Sequence, residues 1–75
     1  MNNETIEKLE MEEMANDVHQ ALLYDDHQRM ADQIDRAGYA IWKAYKVYLQ
    51  CYCHVEDQYD YFSKAVIIYH NVRNA

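Results

Sequence analysis

The chain reads as an all-α protein, a three-helix bundle with helices at about 4–23, 26–54 and 57–73, dimerising through an aromatic central helix. Two observations set the class. There is no proline and only one glycine, so the residues that tight turns and β-hairpins need are missing. Apolar residues also recur at steps of three and four: Met30, Ile34, Ala37, Ile41, Ala44, Tyr48, Cys51 and Val55, then Phe62, Ala65, Tyr69 and Val72, with Gln58 the one polar interruption. Opposite them lies a polar stripe of Lys43, Lys46, Gln50, His54, Asp57 and Lys64, the face an amphipathic helix turns to water. The 75 residues make one domain, 1–75. A chain this short buries only about 60% of the surface its unfolded form exposes, so a second subunit is the expected source of further stability.

In the first helix, Met11, Met14, Val18, Ala21 and Leu22 form the apolar stripe, but its continuation meets Asp25, Gln28 and Asp32. A turn at Leu23 to Asp26 accounts for the slip, with Asp25 as N-cap and Gln28 completing a capping box. Ile6 and Leu9 fall about 180° from Met11, Met14 and Val18 on a helical wheel, so residues 1–9 either fray or dock on a partner. An unbroken helix from 26 to 73 would be about 70 Å long, so a break is expected. The sequence favours His54 to Asp57, with Asp57 capping the third helix. The other candidate is Gly38, where Ile34 and Tyr39 have the spacing of a Schellman contact but no N-capping residue follows.

Charge and aromaticity divide the chain. Residues 1–37 carry ten acidic against three basic side chains, a balance of −7, whereas residues 38–75 carry three against four, a balance of +1. Nine of the ten aromatic residues follow Gly38. The acids gather in a ridge of Glu7, Glu10, Glu13 and Asp17, flanked by Glu12, at helical spacing. As a solvated face such a ridge keeps a protein soluble; as a contact face it complements a basic surface. Trp42, Tyr45, Tyr48, Tyr52 and Tyr59 recur at steps of three, four and seven and make the central helix apolar around most of its circumference. Tyrosine is common where protein surfaces meet, so these five are the expected oligomer or partner interface.

Catalytic and metal chemistry find little support. Ser63 and Thr5 are the only aliphatic hydroxyls, no histidine has a glutamate three positions before it, and one glycine cannot make a phosphate-cradling loop. On one helix Cys51 and His54 would share a face and could reach one zinc ion, but further ligands would have to come from His19, His27 or His70. The simpler expectation is a buried Cys51 beside a surface His54, with no metal and no cofactor. Cys-x-Cys lacks the spacing of a redox pair. With few clustered cations, direct binding to nucleic acid or to an anionic membrane is disfavoured. No stretch reads as a secretion signal or membrane span, so the expectation is a cytoplasmic protein with reduced thiols.

The reading that follows is a small acidic, non-enzymatic interaction protein. It would be an adaptor or inhibitor of the kind phages and other mobile elements use, binding a basic surface of a host nucleic-acid-handling protein. Two rivals stand beside it: a structural homo-oligomer paired through its tyrosine-rich face, and a metal-stabilised regulator built on Cys51 and His54.

Overall fold

The computed structural model describes residues 3–75, and side chains from Leu9 onward. The chain is all-helical as expected, but among the described residues it has four helices rather than three: α1 (Asn3–Leu23), α2 (His27–Ala37), α3 (Ala40–Tyr52) and α4 (Val55–Arg73). Both candidate breaks occur, at Gly38 and at Cys53 to His54. Ile6 and Glu7 lie outside the described side chains, as do residues 1 and 2 altogether, so Leu9 alone speaks for the expectation placed on residues 1–9. Leu9 stays out of the core, 54% exposed.

The first turn is a Schellman motif, one residue off the expected cap. Asp25 adopts φ +59° and its N–H bonds the Leu22 carbonyl at 3.2 Å, while the Asp26 N–H reaches back to Ala21 at 2.9 Å. Aspartate tolerates this left-handed conformation better than most residues do. Asp26, not Asp25, therefore caps α2, its carboxylate accepting from the Arg29 N–H at 3.3 Å. Gln28 pairs forward with Asp32 at 3.0 Å instead of closing a capping box.

At the second turn Gly38 takes φ +84°, which ends α2, and its N–H bonds the Ile34 carbonyl at 2.9 Å. The expected Schellman contact is absent, for Tyr39 is exposed. α3 opens without a side-chain cap; the Ile41 and Trp42 N–H groups instead close tight turns onto Gly38 and Tyr39. At the third turn His54 holds the N-cap position, and Asp57 falls in the first turn of α4, where its charge complements the helix dipole.

α1 and α4 each pack on both α2 and α3, giving a body of 41 × 28 × 18 Å. Ala15, Val18 and Leu22 of α1, Met30 and Ile34 of α2, Ile41, Tyr45 and Leu49 of α3, and Ala65 and Ile68 of α4 form one core. The buried face of α3 steps by four through Tyr45 and Leu49, rotated from the expected Ala44, Tyr48 and Cys51. Cys51 is accordingly exposed, while Cys53, at the chain reversal, packs against the core. Val55, expected inside, is 83% exposed.

Candidate interaction groove

α1 and α3 run antiparallel, so each turn forward along α3 meets a turn back along α1. Three rungs result. Tyr45 Oη lies 2.9 Å from His19 Nδ1, Tyr48 donates to Asn16 Oδ1 at 2.8 Å, and Tyr52 donates to Glu12 Oε1 at 2.8 Å. The rungs grade from buried to open: His19 is 7% exposed and Tyr45 fully buried, Tyr48 half-buried, Tyr52 63% exposed. Where the ladder opens, Leu9, Glu12, Glu13, Asn16, Tyr48 and Tyr52 line a groove of about 450 Å³.

The electrostatics follow the same gradient. Burial pushes the Tyr45 phenol far up and the His19 imidazole down from its ordinary 6.5. Burial also raises Tyr48, with Cys53 and Glu12 adding to it. Tyr52 is raised chiefly by its hydrogen bond to Glu12. All three phenols therefore stay protonated at neutral pH, and Tyr48 and Tyr52 act as donors. Because Tyr48 and Tyr52 give their hydroxyls to α1, what they offer the groove is ring surface, the two rings tilted 45° to each other with centres 4.8 Å apart. Glu12 gives one carboxylate oxygen to Tyr52, and among the described residues no lysine or arginine pairs with Glu12 or Glu13.

The groove thus joins part of the acidic ridge to part of the tyrosine row. Glu13 belongs to both ridge and groove; Glu10 is exposed and Asp17 half-buried elsewhere on α1, and the side chain of Glu7 lies outside those described. The five aromatics do not form one face. Tyr45 is core, Trp42 packs edge-on against Phe62 and Tyr69, and Tyr59 is exposed on α4. Only Tyr48 and Tyr52 reach the groove. Cys51 and His54 do not share a helical face, because α3 ends at Tyr52; among the described residues no three His, Cys, Asp or Glu side chains are placed to hold a metal. No described helix is long and apolar enough to cross a membrane.

Asn16 was not singled out from sequence, and His19 was named only as a possible metal ligand. Their signal is spacing: Glu12 and Asn16 on α1 and Tyr48 and Tyr52 on α3 are both four apart, the pitch of an antiparallel ladder. Comparison of the chain with protein-family models, curated proteins and solved structures finds no match.

Proposed function

We propose that this protein is a small acidic interaction module, an adaptor or inhibitor, that binds a basic protein surface through the α1–α3 groove. One observation carries the reading: carboxylates without a cationic partner among the described residues adjoin a pair of tyrosine faces in a ligand-sized concavity. Nucleic-acid-handling proteins are the favoured partner class, since they present clustered cations for phosphate contacts. The rival homodimer draws less support, because Tyr45 and Trp42 are already spent inside the chain.

The test is a panel of basic nucleic-acid-binding proteins probed with the wild type and with Glu12→Lys/Glu13→Lys, at about 50 and about 300 mM salt. Saturable binding to at least one member that weakens with salt and vanishes in the variant is expected. Binding that survives charge reversal, or no binding across the panel, refutes the reading.

A further inference from the structure

We propose that the groove is built to receive an arginine side chain of the partner; this rests on the reading above and adds the identity of the anchor. The molecule already contains an arginine site made of the same parts. At the α2–α4 seam, Tyr69 donates its hydroxyl to one oxygen of Asp35. Arg73 pairs with the other oxygen of Asp35 and with Asp32 at 3.1 Å, its guanidinium carbon 5.8 Å from the centre of the Tyr69 ring. At the α1–α3 seam, Tyr52 likewise donates to one oxygen of Glu12, the other meeting no cation among the described residues, with Glu13 as the second carboxylate and Tyr48 extending the aromatic wall. The tyrosine, the bonded carboxylate, the second carboxylate and the ring face are all present. Among the described residues, the cation is the part not supplied.

Three properties select guanidinium over ammonium. Its planar fork reaches two carboxylates while lying on an aromatic ring, which a point-like ammonium does not do. It is the more weakly hydrated cation, so entering a half-covered groove costs less. Its stacking on tyrosine adds a cation–π attraction along the wall that Tyr48 and Tyr52 form. Leu9, at the groove edge, offers an apolar surface to the methylene stem.

The test is an NMR titration of the full chain with acetyl-Gly-Arg-Gly-amide and with its lysine and citrulline analogues. The arginine peptide is expected to shift signals of Glu12, Glu13, Asn16, Tyr48 and Tyr52, the lysine peptide to bind at least about threefold more weakly and the uncharged citrulline peptide at least about tenfold. Glu12→Gln is expected to weaken the arginine peptide about tenfold, and Tyr52→Leu to erase the preference for arginine over lysine. Lysine binding as tight as arginine overturns the arginine anchor and leaves the basic-partner reading standing. An arginine peptide that does not bind, or whose shifts map outside the groove, overturns the anchor as well. The basic-partner reading itself falls on the charge-reversal panel, independently of the peptides.

Discussion

The α2–α4 and α1–α3 seams use the same chemistry to opposite ends. Both run tyrosine hydroxyls onto carboxylates of the facing helix. At α2–α4 the chain supplies its own cation, Arg73, and the acids Asp32 and Asp35 are answered internally. At α1–α3 Glu12 accepts from a phenol and Glu13 is exposed, and the seam widens into a groove. Under the proposed function, an acid neutralised by the fold is structural and one that is not serves recognition. The total charge of −6 conceals this difference, since among the described residues it is position relative to Arg73 that separates the two kinds of carboxylate.

The largest expected effect separates the closed end of the groove ladder from its open end. Tyr45→Ala removes a fully buried side chain and should cost about 3–5 kcal/mol, enough to leave the domain largely unfolded in urea or thermal melts. Tyr52→Ala, one residue type and two turns away, should change stability by less than about 1 kcal/mol while impairing partner binding. Comparable losses in both would show that the groove wall is core.

Arg73→Gln tests the α2–α4 seam. Removing the cation leaves Asp32 and Asp35 facing each other's charge, and the thermal midpoint should fall, by less than in Tyr45→Ala. Asp32, held below its ordinary 3.8 first by the hydrogen bond from Arg73 and then by that from Gln28, should titrate higher by NMR in the variant. In the wild type a depressed carboxylate contributes stability that is complete above 3.8 and is lost as pH falls toward the folded value, so the variant should also lose less stability on acidification. An unchanged Asp32 titration would remove the contrast between the seams.

The smallest effect is the pH dependence of His19. The groups facing its ring are Tyr45 and Tyr48 from α3 and Tyr61 from α4, and desolvation by them keeps the folded ring from protonating at its ordinary 6.5. The unfolded chain takes up that proton first, so the His19 contribution is complete above 6.5 and fades as pH drops toward the folded value. Urea midpoints at about pH 7.5 and about pH 5.5 should fall further in the wild type than in His19→Gln. Equal falls would mean that the ring is solvated and the ladder is open along its whole length.

Much of the fold is legible in sequence because helical periodicity is local. Met30, Ile34, Ile41, Ala65 and Phe62 lie inward or half-inward as the stripe expects. The number of helices is misjudged because the apolar register runs unbroken from 30 to 72, so nothing in the spacing reports the turn at Gly38. α3 starts there without a side-chain cap, closing its first turn through backbone groups alone. The aromatic face is misjudged for a related reason. A helix that is apolar around most of its circumference has several equally good inward faces, and packing chose the one through Tyr45 and Leu49 over the one through Tyr48 and Cys51.

By itself the sequence determined the helical class, the acidic first half, the aromatic second half and the want of recognisable catalytic spacing, all of which depend on residue identity and short separations. The tertiary structure decided which carboxylates pair with Arg73 and which tyrosines stay reachable. Those depend on the antiparallel register that sets Glu12 against Tyr52 and Asp35 against Tyr69, contacts 40 and 34 residues apart. No local propensity encodes such a separation; it is settled only when the helices close on a shared core and every buried phenol and imidazole has to find a partner.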